Sequence, residues 1–279
     1  MRRLQLAALL CGATLMSAAA SAQEVSAGVE VATDRSTWHF DNPSNHDAGG
    51  LVPHYFEQHY VLDNVWVTTA AAYRAGLDWT TRVAFTPVRQ ALATDYDTFF
   101  DAGNVVTVIG TTGDARLHSL KLEQALELGR LGRARLSGGY RLRVDRADFL
   151  AGDKTETRNG VLVSRSLITT REYTSGQTHE LFVRAERRWN AGAHWEWSAQ
   201  ADAAPAVHRL AIELPDKYPG QTLVYRTSGV ATSGRVALTR NGAWPIALSA
   251  GASRSWNYRS TQWVRRNTLG LGLTLSRRW

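Results

Sequence analysis

The 279-residue sequence predicts an all-β fold, a ten-stranded antiparallel up-and-down transmembrane β-barrel. Three observations predict it. Apolar residues recur with a period of two, charges of both signs occupy the opposite phase, and short connections alternate with long ones. No long segment carries the 3.6-residue period of an amphipathic helix, and no uninterrupted apolar run approaches roughly 20 residues. This pattern excludes a helical membrane bundle, a collagen and a low-complexity disordered chain.

The beginning of the chain has the pattern of an export signal. Arg2 and Arg3 precede a short apolar segment, residues 4–16, and a small-x-small cleavage site ends at Ala22. We therefore expect residues 1–22 to be a signal peptide and residues 23–279 to form an outer-membrane β-barrel domain. The single cysteine, Cys11, lies in the signal, so the mature chain has neither disulfides nor thiolate metal ligands.

The clearest predicted strand is the last one. Leu269, Leu271, Leu273 and Leu275 alternate with small residues, and Trp279 ends the chain in phase with them. A C-terminal strand that ends on an aromatic residue looks like the assembly signal of outer-membrane barrels, so we expect the barrel-assembly machinery to be a partner. The same alternation recurs in residues 120–128, 133–145, 180–189 and 193–203.

The polar phase carries both signs of charge in similar number. Inside a closed barrel these charges can neutralise one another, which excludes a general diffusion porin and places function in the outer loops. A soluble β-sandwich also alternates and remains the alternative fold. The charged residues expected in the lumen are Glu30, Arg82, Lys121, Glu123, Glu127, Arg135, Arg141, Arg143, Asp145, Glu180, Arg184, Glu186, Arg188, Glu196, Asp202 and Arg235.

The connections give the strand count and the orientation. Short turns fall at residues 75–78, 129–132, 190–193 and 241–243, and long loops at 34–58, 91–114, 147–177, 204–222 and 254–266. This alternation predicts ten strands, periplasmic termini and external loops in the outer membrane of a Gram-negative-type envelope. Aromatic residues expected in the interfacial belts are Trp66, Trp79, Trp189, Trp195, Trp244, Trp256, Tyr258 and Trp263.

The charge balance restricts the partners. The formal net charge of +7 is modest and spread along the chain, which argues against a nucleic-acid-binding stripe. We expect a monomer that contacts outer-membrane lipid and lipopolysaccharide. The sequence has no nucleophile elbow, phosphate-binding loop, dinucleotide fingerprint or zincin helix, which sets those enzyme classes aside.

Two stretches resemble a known family. Residues 94–101, in the second outer loop, contain Asp95 and Asp97 followed by Phe99, and residues 214–221 lie in the fourth. Together with the strand count and the five outer loops, they resemble the omptins, outer-membrane endopeptidases. The resemblance implies an aspartate pair and an Asp-His dyad facing each other across the barrel mouth and activating a water molecule. On an extended segment, Asp95 and Asp97 point to the same side.

The second half of the family pattern is not matched. Lys217 stands where the histidine belongs and Pro215 where its aspartate belongs. Lysine is a poor base near neutral pH, so His208 is the candidate substitute, oriented by Asp202 or Asp216. Two functions remain open: a non-catalytic surface barrel, or an endopeptidase that uses Asp95, Asp97 and His208. A solvated acidic turn is the simpler alternative for the two aspartates.

Other loop residues suggest binding. Arg158, Arg165 and Arg171, together with Lys217, are candidate contacts for lipopolysaccharide phosphates, with a solvated hairpin as the alternative. We expect no cofactor other than lipopolysaccharide, and no metal centre. The first loop nevertheless leaves two interpretations open, a transition-metal site or an aromatic loop packed over the barrel mouth. Its imidazoles and carboxylates are His39, Asp41, His46, Asp47, His54 and His59.

Overall fold

The computed structural model describes residues 22–42, 55–75, 79–101, 104–167, 171–216, 218–259 and 262–279. These ranges contain eleven β-strands. The strands are β1 (Ala22–Asn42), β2 (Tyr55–Ala75), β3 (Trp79–Asp101), β4 (Asn104–Leu131), β5 (Ala134–Arg158), β6 (Val161–Leu167), β7 (Arg171–Gly192), β8 (Trp195–Glu213), β9 (Thr222–Arg240), β10 (Ile246–Arg259) and β11 (Gln262–Arg278). The described ranges hold no helix that is long and apolar enough to span a membrane.

Ten of the strands form one closed antiparallel ring. Neighbours in sequence pair with each other, β5 pairs with β7, and β1 pairs with β11 to close the ring. At the seam, the backbone N–H of Trp279 donates to the carbonyl of Val25 over 2.9 Å. The sheet is therefore a ten-stranded barrel, as the sequence predicts, and the alternative sandwich is wrong.

The eleventh strand, β6, lies outside the ring. It forms a hairpin with the end of β5 through Asn159 and Gly160, whose φ angles of 47° and 79° are those of a tight two-residue hairpin turn. The predicted count of ten therefore describes the ring but omits one strand of the described chain.

The apolar phase of the strands faces outward. Leu269, Leu271, Leu248 and Leu181 are 58–67% exposed, although a water-soluble fold would bury such side chains. Their neighbours in sequence point into the barrel, where Glu123 and Asp202 are buried. This distribution, with leucines on the outer surface and carboxylates inside, is the reverse of the one in a soluble protein. The outer surface therefore contacts lipid.

The barrel wall is much taller than a membrane. A membrane-spanning strand needs about 9–11 residues, whereas β3, β4 and β5 have 23, 28 and 25. The expectation that residues 91–114 form a long loop is therefore wrong, since β3 runs to Asp101 and β4 resumes at Asn104. Continued pairing above the membrane satisfies backbone groups that a loop would leave to water.

Four of the eight predicted belt aromatics face outward at or beside strand ends. Trp79, Trp189, Trp195 and Trp244 are 40–55% exposed. Trp66 is an exception, because it points inward and its Nε1–H donates to Asp34 Oδ2 over 2.8 Å. The side chains of Tyr258 and Trp263 are outside the described part.

Cations that interrupt the apolar phase lie against aromatic rings. The guanidinium of Arg277 lies 5.1 Å from the Trp244 ring and 5.4 Å from the Trp279 ring, and that of Arg187 lies 5.8 Å from the Trp189 ring. These contacts hold the charges at the periplasmic end of the wall, where the head groups of lipids can solvate them.

Candidate functional site: the barrel interior and mouth

The lower interior is crossed by a network of two arginines and two carboxylates. Arg141 donates from Nε to Glu123 Oε2 over 2.9 Å and from Nη2 to Asp202 Oδ2 over 3.0 Å. Arg184 donates from Nη1 to Glu123 Oε1 over 2.7 Å and from Nε to Asp202 Oδ1 over 2.8 Å. The four side chains are only 5–14% exposed. They link β4, β5, β7 and β8, four consecutive strands of the ring, inside the lumen, as the charge pattern predicts.

Phe182 lies at the centre of this network. Its ring is 2% exposed and sits 4.7 Å from the Arg141 guanidinium and 4.8 Å from that of Arg184. Further links come from Glu180, which accepts from Arg141 over 2.8 Å, and from Lys121, whose Nζ lies 3.7 Å from Glu123. These buried side chains therefore pack against one another inside the barrel.

Polar contacts continue upward along β1 and β2. Asp34 accepts a 2.6 Å hydrogen bond from Asn64 Nδ2 as well as the bond from Trp66. Ser36 is fully buried and lies 3.0 Å from Thr268 Oγ1, across the seam between β1 and β11. These bonds tie the seam above the charged network.

An apolar layer lies above these polar contacts on β2, β3 and β4. Leu62, Ala91, Ala93 and Ala115 are buried together, and Leu117 and Phe149 pack against them. Because these side chains point into the barrel, this part of the interior is a small hydrophobic core. It forms the floor of the barrel mouth.

Asp95 and Asp97 stand on β3 directly beyond that floor. Ala91 and Ala93 are buried while Leu92 and Tyr96 are 54% and 45% exposed, so the alternation turns both aspartates inward. The Oδ1 atom of each is buried. The predicted common orientation of the pair is therefore confirmed, and the alternative of a solvated turn at a loop tip is wrong, because the pair lies within a strand.

A third carboxylate, Glu172 at the start of β7, lies close enough to Asp95 to be affected by its charge. Burial, and secondarily the charge of Asp95, raises the pKa of Glu172 above its usual range. Sequence reasoning did not single out Glu172, because its proximity to Asp95 depends on how β7 and β3 are placed around the ring. The barrel mouth therefore carries carboxylates on two strands, β3 and β7.

His208 has different neighbours. It lies on β8, where its Nδ1 is 3.0 Å from Thr178 Oγ1, and charges near it are Arg143, Glu180 and Arg266. The strand that carries His208 pairs with β7 and β9, whereas β3, which carries Asp95 and Asp97, pairs with β2 and β4. Its role as a substitute base stays a prediction, as do the roles of the two aspartates.

The fourth-loop region is a compact turn between β8 and β9. Asp216 Oδ2 accepts a 3.0 Å hydrogen bond from the backbone N–H of Arg171, and the N–H of Tyr218 donates to the carbonyl of Leu214 over 2.7 Å. Asp216 is thereby engaged at the start of β7 rather than beside His208. Lys217 lies outside the described residues.

The candidate lipopolysaccharide contacts lie on the upper outer wall. Arg158 Nε is 2.8 Å from Glu156, and Arg165 Nη2 is 3.5 Å from Asp153; the two arginine side chains are 65% and 70% exposed. Arg171 is exposed at the first position of β7. Their binding of phosphate stays a prediction.

The first-loop histidines are only partly within the described chain. His39 and His59 face each other across β1 and β2, with ring centroids 6.3 Å apart. Asp47, His46 and His54 lie outside the described residues. In the part that is described, no group of three or more histidine, cysteine or acidic side chains is arranged to hold a metal ion.

A closed ring with lipid-facing leucines, aromatic ends and a charged interior defines the class of protein. The chain is an integral outer-membrane β-barrel of the Gram-negative type. Its fold is similar to that of the outer membrane protease OmpT from Escherichia coli, with a TM-score of 0.63 and 10% identity over 93% of this chain and 98% of that chain. At that identity the likeness shows the fold alone, and it confirms the omptin resemblance at the level of architecture.

Two other solved barrels match with lower TM-scores. The β-domain of the Bordetella autotransporter BrkA aligns over 90% of this chain and 99% of that chain, with 10% identity and a TM-score of 0.45. Ail of Yersinia pestis aligns over 90% and 97%, with 12% identity and a TM-score of 0.26. No protein-family model matches the chain, and no curated protein matches it in sequence.

Proposed function

We propose that this protein is a non-catalytic surface barrel that acts through its extracellular wall and rim. The observation that carries the proposal is that the candidate catalytic groups lie on strands that are not neighbours in the ring: His208 is on β8, between β7 and β9, and the aspartates are on β3, between β2 and β4. The histidine that would serve as base is engaged with Thr178, whereas Asp95 lies near a further carboxylate, Glu172. A general base has to reach the water that it deprotonates directly or through one further water molecule.

The network around Phe182 supports the same proposal. Four buried charged side chains and a phenyl ring project into the lumen. Because the interior of a ten-stranded barrel is narrow, a lumen occupied in this way is unsuited to the passage of solutes. The tall wall, in contrast, places long stretches of β3, β4 and β5 outside the membrane. Surface that is accessible from outside the cell is thus the part of the molecule available for binding.

Lipopolysaccharide is the proposed contact of that wall. Arg158 and Arg165 each have a neighbouring carboxylate but remain largely exposed, so their guanidinium groups can add hydrogen bonds to phosphate oxygens. Arg171 and Lys217 complete the proposed basic set at the hairpins above β7 and β8.

An omptin-like endopeptidase is the second candidate function. It is favoured by the inward orientation of Asp95 and Asp97, which share a face at the barrel mouth with their Oδ1 atoms buried. In this alternative the aspartates hold the attacking water and His208 accepts its proton.

Peptide cleavage separates the two functions. The refolded full-length barrel, with lipopolysaccharide present, is incubated across a pH series with fluorogenic peptides that contain paired basic residues. We expect the peptides to remain intact. Cleavage that Asp97→Asn and His208→Ala each abolish, while Arg35→Ala, which removes an exposed ion pair with Asp63, leaves it unchanged, would establish the peptidase and overturn the proposal.

A further inference from the structure

The outer edge of β6 is an exposed strand edge in the upper wall. Within the described chain, β6 pairs with β5 alone, through residues 153–158. Val161, Leu162, Val163 and Leu167 are 50–81% exposed. An exposed apolar strand with one unpaired edge presents a row of backbone donors and acceptors to whatever lies beside it.

The position of β6 creates a step in the wall. The pairing of β5 with β7 ends at Leu150 and Arg171, but β5 continues to Arg158 with β6 beside it. The next pairing, of β7 with β8, reaches only Tyr173 and Glu213. The edge of β6 therefore stands above a lower part of the rim and is open to the extracellular side.

This edge has few of the features that usually discourage pairing. β6 contains no proline and no lysine, whereas natural edge strands are commonly protected by such residues. Its single charge, Arg165, is 3.5 Å from Asp153 on β5. A register shift near Val163 bends the strand but leaves Ser164–Leu167 in continuous pairing with β5.

We propose that β6 binds an extended segment of a partner polypeptide by strand addition, as a further strand of the wall. The proposal deepens the surface role proposed above and rests on it. Because four of the seven β6 residues are apolar and exposed and its one charge, Arg165, lies beside Asp153, the segment that fits is uncharged and carries apolar, β-branched side chains. Backbone hydrogen bonds supply much of the affinity in this mode, and the apolar side chains supply selectivity.

A second copy of this chain does not fit the same edge. Two barrels in one membrane share an orientation, so a closed pair is related by a two-fold axis along the membrane normal. Barrel strands tilt by about 35–45° from that normal, and symmetry-related β6 strands would cross at roughly 70–90°. Sheet pairing needs nearly parallel or antiparallel strands, so the occupant is a segment that arrives from solution in its own orientation.

The test uses a fluorescent eight-residue peptide of alternating valine and threonine with the refolded full-length barrel in liposomes. Anisotropy should rise on binding, and hydrogen exchange of the β6 amides should slow. The same peptide with all amides N-methylated keeps its side chains but cannot pair, so it should not bind. The double variant Leu162→Lys/Leu167→Lys should weaken binding at least tenfold.

Leu92→Lys is the matched control, because Leu92 is also exposed and apolar but lies on β3, which is paired on both sides. The Leu92→Lys barrel should bind the peptide with the same affinity as the unsubstituted barrel. The proposal is overturned by absent binding, by equal binding of the N-methylated peptide, or by β6 amides that are already protected without peptide. The peptide has no basic residue, so its failure to bind is distinct from any outcome of the cleavage assay.

Discussion

Glu123 shows how single residues organise the interior. It receives hydrogen bonds from Arg141 and Arg184 and lies 3.7 Å from Lys121. Buried ion pairs of this kind add little net stability relative to a well-packed apolar core, but removing one partner leaves an uncompensated charge. The network therefore acts mainly to specify which strands face one another.

We predict that Glu123→Gln destabilises the barrel strongly. Loss of the carboxylate leaves two buried guanidinium groups with one fewer counter-charge, which typically costs about 3–5 kcal/mol of unfolding free energy. Urea unfolding of the refolded protein in liposomes measures the change.

Arg158→Ala, which disrupts an exposed pair with Glu156, is the control and should change the unfolding free energy by less than about 1 kcal/mol. Equal effects of the two substitutions would contradict the structural importance of the buried network.

Glu172 yields a prediction about pH. Its pKa is raised in the folded state, chiefly by burial, so its ionised form is disfavoured there relative to the unfolded chain. Below the pKa that Glu172 has in the unfolded chain, this group does not lower the free energy of unfolding. Its destabilising effect develops as pH rises through the pKa that Glu172 has in the folded barrel. Glu172→Gln should therefore make the folded barrel more stable at pH 7 and reduce the stabilisation that acidification produces.

Unfolding midpoints at pH 7 and in mild acid test this expectation, with Glu213→Gln, an exposed carboxyl on the neighbouring strand, as the control. If the difference between Glu172→Gln and the unsubstituted barrel does not depend on pH, Glu172 is not buried as described.

Residue orientation was more predictable than residue proximity. The shared side of Asp95 and Asp97 follows from the two-residue period, which any extended segment obeys. The approach of Glu172 to Asp95 and the placement of His208 on a strand that is not adjacent to β3 depend on pairings among several strands, and local sequence does not encode those registers.

At the scale of elements, the strands are continuous where loops were expected. Charged and polar residues in 91–114 and 147–177 do not end β3, β4 or β5, because both faces of the wall above the membrane can be polar. The sequence signal that indicates β6 is Asn159-Gly160, the pair most typical of a two-residue hairpin.

Close strand approach at Gly139 leads to a third prediction. A Cβ atom there would lie 1.9 Å from the Gln124 carbonyl oxygen and 2.9 Å from Ala125 Cα, so Gly139→Ala requires β4 and β5 to separate. Overpacking of this kind costs about 1–3 kcal/mol. Gly234→Ala is the matched control, since its nearest neighbour would be 3.9 Å away.

Thermal shifts of the unfolding transition distinguish the two glycines. Gly139→Ala should lower the transition temperature and Gly234→Ala should leave it nearly unchanged. Equal shifts would mean that the contact between β4 and β5 is looser than the structure indicates.

At the scale of the whole molecule, the two-residue alternation carries the fold. Closure of the ring was predictable from the two faces of the strands. Charges of both signs on one face can pair inside a closed barrel, and leucines on the other face are accommodated by lipid. The height of the barrel was not predictable from the sequence, since strands and solvated loops have similar amino-acid compositions above the membrane. The sequence determines the function of this protein less than its fold, because binding depends on the residues of the rim and not on the two-residue alternation along the strands.

The most direct test of the central claim is a cysteine scan along β9. Cys11, the single cysteine, lies in the expected signal peptide, so the refolded mature barrel has no competing thiol. Spin labels at Val230, Thr232 and Val236 should collide with lipid-dissolved oxygen, and those at Ala231, Ser233 and Ala237 should be shielded from it. Loss of this alternation, or equal access of a water-soluble nickel complex to both sets, would contradict a lipid-facing apolar wall around a sealed interior.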